Sequence, residues 1–259
     1  MTTKNTITET YDELLKKINE FLSLDFQEIT DKEIEIKLYE IINTISNPVL
    51  IVELPTNESY CRIRNDYNYL EDNKFDIKEI LGNPKAPLAR MNLENERGLY
   101  LSNKLETAML ECEVKENDIF TTAIFTPKEP MHVIVTSVTG KYYNDTTKTN
   151  IISELISKFI FECLTMPSDK TKDTYRITNA LLKILYKSFK ADGLLYYSSK
   201  KKNDYNLFIN NESVCKLNVD YIFTCKKGKR IKLLEVNKVI NNKEIQAINI
   251  KSIKKLYNK

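Results

Sequence analysis

Glycine is scarce in this chain, and its scarcity excludes the common nucleotide-binding loops. The 259 residues include five glycines, and each stands apart from the others. Both the G-x-G-x-x-G and the G-x-x-x-x-G-K motifs need clustered glycines, because backbone amides must approach phosphate closely. Neither motif occurs in the sequence. If this protein binds a nucleotide, we therefore expect side chains to hold it.

Histidine and cysteine are too few or too scattered for familiar catalytic and metal sites. The single histidine, His132, alternates with apolar residues, which is typical of a strand residue rather than a catalytic base. A serine–histidine triad and a multi-histidine metal site are therefore not expected. The five cysteines form no Cys-x-x-Cys pair, which argues against a disulfide framework and a structural zinc ion. We expect a site without metal.

Charge and hydropathy also exclude several classes of partner. The chain has 39 basic and 36 acidic residues and a net charge of +3, with no basic block clear of acidic neighbours. Direct nucleic-acid binding is therefore not expected, and the three lysines at 200–202 are interpreted as a solvated turn. No apolar run is long enough to cross a bilayer, and residues 1–5 lack a signal-peptide core. We expect a cytoplasmic protein without membrane contact.

Hydrophobic periodicity predicts an α+β fold with a mixed β-sheet and flanking helices. Apolar residues spaced three or four apart predict helices, and apolar residues at alternate positions predict strands. A polar, proline-containing stretch at 65–89 predicts a long loop. We divide the chain into an N-terminal helical arm at 1–47, a main domain at 48–212 and a C-terminal β-hairpin extension at 213–259. The predicted helices cover 8–23, 34–45, 104–113, 150–164 and 173–190, and the predicted strands cover 49–54, 60–64, 98–102, 119–125, 131–138, 194–198, 205–209 and the region after 214.

An ordered set of a cation, an aromatic and a carboxylate lies across a predicted strand-to-helix junction. Arg90, Tyr100 and Glu111 follow one another at spacings of ten and eleven residues. Asn103 followed by Glu106 predicts a capped helix start between them. Glu111 then lies about two turns into that helix, on the face that Thr107 shares one turn earlier. Each residue is ordinary by itself, and their order is the informative feature.

Arg62 lies in a predicted strand, Arg90 and Asn92 follow the long loop, Tyr100 to Glu111 come next, and Tyr196-Tyr197-Ser198 follow Gly193. This succession of four segments resembles the RES domain, a bacterial family named for its arginine, glutamate and serine. The resemblance covers roughly residues 58–210. Its best-matched part is Gly98-Leu-Tyr-Leu-Ser…Glu-Thr-Ala-Met-Leu-Glu111, and Asp192-Gly-Leu-Leu-Tyr-Tyr-Ser198…Asn206-Leu-Phe208 follows in the expected order. The resemblance implies a fold like that of ADP-ribosyltransferases and an NAD-destroying toxin with a cognate antitoxin. The chain departs from the family around Arg90, where glycines and a bulky aromatic are usual.

The resemblance also implies roles that suit the residue types. A carboxylate at Glu111 would lie beside the oxocarbenium-like state formed when nicotinamide leaves ribose. Arg62 and Arg90 would grip the pyrophosphate with planar guanidinium groups, and Asn92 would join them in binding NAD. Tyr100 would stack on the nicotinamide ring, and Ser198 would hydrogen-bond the ribose or carboxamide. Ser199 is the alternative to Ser198, and strand register favours Ser198.

Three functions remain open at this point. The first is an NAD glycohydrolase or phosphorylase, with water or phosphate as the acceptor of the ADP-ribose group. The second is an ADP-ribosyltransferase that modifies a macromolecule. The third is an inactive RES-fold protein that only binds. The acceptor, the identity of the antitoxin and the oligomeric state, including a homo-oligomer, are left open by the sequence.

Overall fold

The computed structural model describes residues 2–44, 49–64, 80–82, 91, 97–136, 151–166 and 173–248, with backbone only for 2–9. Within these ranges the chain forms five α-helices and ten strands of a mixed sheet, which confirms the predicted α+β class. Of the predicted loop at 65–89, only 80–82 are among the described residues. Arg90 and Asn92 lie outside the described residues.

The helices and strands follow the predicted periodicities with shifted ends. The predicted first helix, for example, begins earlier than expected, and the predicted helix at 104–113 is shorter at both ends. The helices are α1 (Thr2–Leu22), α2 (Asp31–Ile42), α3 (Leu105–Glu111), α4 (Ile151–Thr165) and α5 (Asp173–Phe189). The strands are β1 (Leu50–Leu54), β2 (Tyr60–Arg64), β3 (Leu99–Ser102), β4 (Ile119–Pro127), β5 (Met131–Val135), β6 (Gly193–Tyr197), β7 (Tyr205–Ile209), β8 (Leu217–Lys226), β9 (Lys232–Ile240) and β10 (Glu244–Ala247).

The chain divides into two compact units. Unit 1 comprises Met1–Val52, Ala86–Asn95 and His132–Tyr196, and unit 2 comprises Glu53–Lys85, Glu96–Met131 and Tyr197–Lys259. The predicted boundaries at 47/48 and 212/213 remain predictions. Among the described residues, no helix has both the length and the apolar character needed to cross a membrane.

Unit 1 is a helical layer with strands in the order β1-β5-β6. Strands β5 and β6 run parallel, and exposed His132 lies in β5, as its alternating neighbours predict. The buried face of α1 meets α4 through Phe21 and Phe159, whose rings pack edge to face at 5.6 Å. Helix α2 begins at a capping box, in which the hydroxyl of Thr30 accepts from the Glu33 amide and the Glu33 carboxylate accepts in return. The unit is held mainly by apolar burial.

Unit 2 is an antiparallel sheet in the order β7-β3-β2-β4-β8-β9-β10, with α3 packed on one face. Cys61 and Ile63 of β2 form a buried cluster with Ala108 and Met109 of α3. Strand β8 pairs with β4 over most of its length, so the chain after 213 continues the sheet. The predicted turn at Asn241–Asn242 joins β9 to β10 with φ values of 52° and 55°, which asparagine tolerates better than most residues.

Candidate active site

The site is set by the pairing of β3 with β7. In this register Tyr100 is opposite Phe208, and Ser102 is opposite Asn206. Ser102 is also paired with Cys61 of β2, which packs under α3. Because directly opposed residues share a face of a sheet, Tyr100, Ser102 and Asn206 lie on the face that α3 covers. The register therefore brings polar side chains from separate strands beneath the end of this helix.

Glu111, the last residue of α3, is the centre of the arrangement. Its side chain is exposed, and its Oε1 atom accepts a hydrogen bond from Ser198 Oγ at 2.6 Å. The same oxygen accepts from Asn206 Nδ2 at 2.9 Å. Neither donor engages the second oxygen, Oε2. The structure thus brings together Glu111 and Ser198, two of the residues proposed from the sequence, and favours Ser198 over Ser199 as the partner of the carboxylate.

Asn206 is a member of the site that sequence reasoning did not identify. It is 3% exposed, and its Oδ1 atom accepts from Ser102 Oγ at 2.6 Å while its Nδ2 atom donates to Glu111. Both ends of its amide are therefore engaged, which fixes the orientation of the side chain. The motif around Asn206 was visible in the sequence, but its bridging role depends on the register with Ser102.

Asp204 lies two residues before Asn206 and is 1% exposed. Its carboxylate accepts from Lys104 Nζ at 2.6 Å and from Thr107 Oγ1 at 2.7 Å. These hydrogen bonds, the Lys104 bond foremost, lower the pKa of Asp204 below its ordinary value. Because Lys104 and Thr107 belong to the start of α3, Asp204 joins this helix end to the segment that carries Ser198.

The side chain of Arg62 leaves β2 on the opposite face of the sheet, because successive residues of a strand alternate and Cys61 and Ile63 face α3. Its Nη1 atom donates to Ile80 O at 3.3 Å. Gly82, two residues further, has a φ of 109°, a conformation that only glycine adopts readily. Burial, followed by the nearby positive charge of Arg64, lowers the pKa of Arg62 to about 9. The protein environment thus disfavours the charged guanidinium.

Tyr100 is half-buried and packs edge to face on Phe208, with ring centroids 5.0 Å apart. Its hydroxyl and the Arg62 guanidinium interact electrostatically, so the two groups are near each other although their strand positions alternate. Cys112, which follows Glu111, lies near both Arg62 and Glu111. Burial raises the pKa of its thiol, Arg62 opposes that shift, and Glu111 adds to it. The neighbourhood of Cys112 therefore includes both the arginine and the carboxylate.

The predicted capping of α3 by Asn103 and Glu106 is wrong. Lys104 occupies the cap position and makes no capping hydrogen bond through its side chain. Asn103 Oδ1 instead accepts from the backbone amide of Tyr205 at 3.1 Å, and Glu106 pairs with Lys201. The Asn103 side chain does not cap the helix because the backbone amide of Tyr205, at the start of β7, donates to it instead.

The prediction that the lysines at 200–202 form a solvated turn is only partly right, because two of them form ion pairs. Lys201 is paired with Glu106 near the start of α3, and Lys200 Nζ lies 3.8 Å from Glu113 Oε1, just after the helix ends. Lys202 is exposed. These surface pairs contribute little individually, but both connect the same turn to the same helix. Among the residues that the structure describes, no group of three His, Cys, Asp or Glu could hold a metal ion.

Comparison with known proteins identifies the family. The model of the RES domain matches residues 61–222. No curated protein matches the chain. Among solved structures, the chain is similar to one from the crystal structure of the M. tuberculosis MbcT–MbcA toxin–antitoxin complex, with 9% identity and a TM-score of 0.43 over 89% of this chain and 100% of that one. Because the family model covers more than half of the sequence, this chain belongs to the RES domain family.

Proposed function

We propose that this protein cleaves the bond between nicotinamide and ribose in NAD. The observation that carries the proposal is the Glu111 carboxylate, which Ser198 and Asn206 hold through one oxygen. A carboxylate on a short helix in water normally samples many rotamers. Here two donors, the hydroxyl of Ser198 after β6 and the amide of Asn206 in β7, fix it, as a preorganised electrostatic group requires.

The chemistry needs a fixed negative charge more than it needs a proton donor. Cleavage of the nicotinamide–ribose bond develops positive charge on the ribose, as in glycoside hydrolysis. Nicotinamide leaves as a neutral base, so no general acid is required. Glu111 would stabilise the developing cation, and its oxygen Oε2, which neither Ser198 nor Asn206 engages, would face the ribose hydroxyls.

Arg62 suits the binding of an anion. Its charged form is disfavoured by burial and by Arg64, so a bound phosphate would relieve a cost that the protein already carries. A planar guanidinium can also grip phosphate oxygens through two parallel hydrogen bonds. We assign Arg62 to the pyrophosphate of NAD. Arg90 and Asn92, proposed from the sequence to assist it, lie outside the described residues and remain predictions.

Tyr100 and Ser198 complete the proposed set. Tyr100 would supply an aromatic face for the nicotinamide ring, while Phe208 supports it edge to face from the neighbouring strand. Ser198 would orient Glu111 and hydrogen-bond the ribose or the carboxamide. NAD is the substrate in this proposal, and no metal takes part.

The cellular role that we propose is based on membership of the RES domain family. RES-domain toxins of toxin–antitoxin systems act on NAD, so we propose a growth-arresting toxin that works in the cytoplasm. A cognate antitoxin would hold it inactive until needed. A gene directly upstream that encodes a small helix-turn-helix protein would support this role, and an unrelated neighbouring gene would count against it.

Product analysis tests the proposal. Purified protein, free of any inhibitor, is incubated with NAD without added metal, and the products are identified by mass spectrometry. We expect free nicotinamide together with ADP-ribose if water is the acceptor, or with ADP-ribose phosphate if phosphate is. ADP-ribose found on a protein would indicate the transferase alternative. Undiminished NAD with folded protein would contradict the proposal and favour a RES fold that only binds.

A further inference from the structure

The segment from Ser198 to Asn206 is attached to both ends of helix α3. At one end, Ser198 and Asn206 both donate to Glu111, the last residue of the helix. At the other, Asp204 accepts from Lys104 and Thr107, which precede and begin the helix. We call this stretch, residues 198–206, the Ser198–Asn206 segment.

The attachment through Asp204 is buried. Asp204 is 1% exposed, and Thr107 is fully buried, so their 2.7 Å hydrogen bond is shielded from water. The backbone carbonyl of Asp204 also accepts from the Ser198 amide at 2.9 Å. A single residue therefore contacts the helix through its side chain and Ser198 through its main chain.

This connection determines where the Ser198 hydroxyl lies. Ser198 Oγ accepts from the Lys200 amide at 3.1 Å while it donates to Glu111, so both the turn and the carboxylate depend on its place. If the Asp204 side chain released α3, the Ser198–Asn206 segment could shift along the helix. The 2.6 Å contact between Ser198 and Glu111 would then no longer be imposed.

We infer that Asp204, through its hydrogen bond with Thr107, is a positioning residue that holds Ser198 against Glu111 for catalysis. The inference rests on the proposed function, because it assigns the catalytic step to Glu111. The Asp204 carboxylate accepts from Lys104 and Thr107 rather than contacting Glu111, so its role is to position and not to react. A shift of a catalytic group by about 1 Å can slow a reaction by up to about a hundredfold, even when substrate still binds.

The chain contains a matched control for this hydrogen bond. Thr126 Oγ1 on β4 donates to Asp220 Oδ2 on β8 at 2.7 Å, the same bond type at the same length. That bond connects two strands of unit 2 and involves neither α3 nor the Ser198–Asn206 segment. Thr107→Val and Thr126→Val therefore remove the same donor in two places, and both substitutions keep the volume of the side chain nearly constant.

The experiment compares these two variants in two measurements. We expect Thr107→Val to lower kcat for NAD cleavage about tenfold with KM nearly unchanged, because the lost alignment matters most in the transition state. The Ser198 amide should exchange with solvent about tenfold faster, as expected of a loosened local unit. Thr126→Val should match the parent in both, and Thr107→Ser, which restores the hydroxyl, should recover most of the kcat.

Two results would overturn the inference. Parent-like exchange at Ser198 in both Thr107→Val and Asp204→Asn would show that Asp204 does not hold the segment. Faster exchange with no greater loss of kcat than in Thr126→Val would show that holding it does not matter for catalysis. Loss of the proposed function is a separate outcome: the parent would not cleave NAD, and the exchange measurement, which needs no substrate, would still decide the anchoring role of Asp204.

Discussion

Arg62 in unit 2 and Arg176 in unit 1 are both partly enclosed by protein, yet their surroundings are opposite. Arg176 donates to Asp31 Oδ1 at 2.5 Å and to Asp173 Oδ1 at 3.2 Å, and it also donates to the backbone oxygens of Phe26 and Ile29. The hydrogen bond with Asp31, followed by that with Asp173 and the charges of both carboxylates, raises the pKa of Arg176. Among the described residues, Arg62 donates to the carbonyl of Ile80, and burial, followed by the positive charge of Arg64, lowers its pKa to about 9.

The contrast separates a structural arginine from a candidate binding arginine. The charge of Arg176 is compensated within unit 1, where it ties α5 to the start of α2. The charge of Arg62 is disfavoured by its surroundings, which is expected of a group arranged for an anion that arrives from outside. A similar contrast divides the glutamates, since Glu162 of α4 pairs with a surface lysine while Glu111 is held by Ser198 and Asn206.

The largest expected effect is that of Glu111→Gln. The change removes the charge and keeps the shape, so NAD cleavage should fall about a hundredfold or more while KM changes far less. Because the side chain is exposed, the free energy of unfolding should change by only a few tenths of a kcal/mol. Steady-state kinetics and denaturant unfolding measure the two quantities.

Glu162→Gln is the control for this prediction, since Glu162 also lies in the last turn of its helix. It should leave the kinetics unchanged. In a bacterial host the parent and Glu162→Gln should arrest growth, and Glu111→Gln should not. Equal toxicity and equal NAD loss for the two variants would remove Glu111 from the mechanism.

Arginine-to-lysine changes should separate the two arginines completely. Arg62→Lys keeps the charge and loses the planar fork, so KM for NAD should rise about tenfold or more with little loss of stability. Arg176→Lys should do the reverse, lowering the free energy of unfolding by about 1–2 kcal/mol through lost charged hydrogen bonds and leaving KM unchanged. An unchanged KM in Arg62→Lys would make this arginine structural, like Arg176.

Asn206→Ala tests the second donor to Glu111. Ser198 still contacts the carboxylate in this variant, so we expect a smaller loss of kcat, about tenfold. The free energy of unfolding should fall by about 1–3 kcal/mol, because the buried hydroxyl of Ser102 loses its acceptor. Asn237→Ala on β9 is the comparison, since Asn237 is equally buried at 3% exposure but far along the sheet order. A kcat loss of the same size in both would assign Asn206 a purely structural role.

The smallest expected effect is the pH dependence of the Asp204 contribution. The folded protein lowers the pKa of Asp204, so its contribution to stability is fully present above the unfolded pKa of about 3.9. It is lost as the pH falls through the lower pKa of the folded state. The stability difference between the parent and Asp204→Asn should therefore be constant at neutral pH and shrink below about pH 4. A difference that grows in acid would contradict the shift.

Local sequence patterns were sufficient for most of the secondary structure. The apolar stripe of α4 and the alternation in β5 each report the burial of one face, which a short window of sequence records. The ordered residues Tyr100, Glu111 and Ser198 could likewise be singled out, because the strand, the helix and the family motif around each are local. The assignment of Asn103 as a cap failed because its partner, the Tyr205 amide, is remote in sequence.

The sequence by itself determined which segments are helices and strands, which family the chain resembles, and which types of nucleotide loop it lacks. Only the tertiary structure decided that Ser198 and Asn206 share one oxygen of Glu111 and that Asp204 joins them to α3. Those contacts span 87 to 97 residues of chain, and they exist because β7 pairs with β3 in one register immediately before α3. A one-residue slip of that register would turn Asn206 to the other face of the sheet, and no local pattern excludes such a slip.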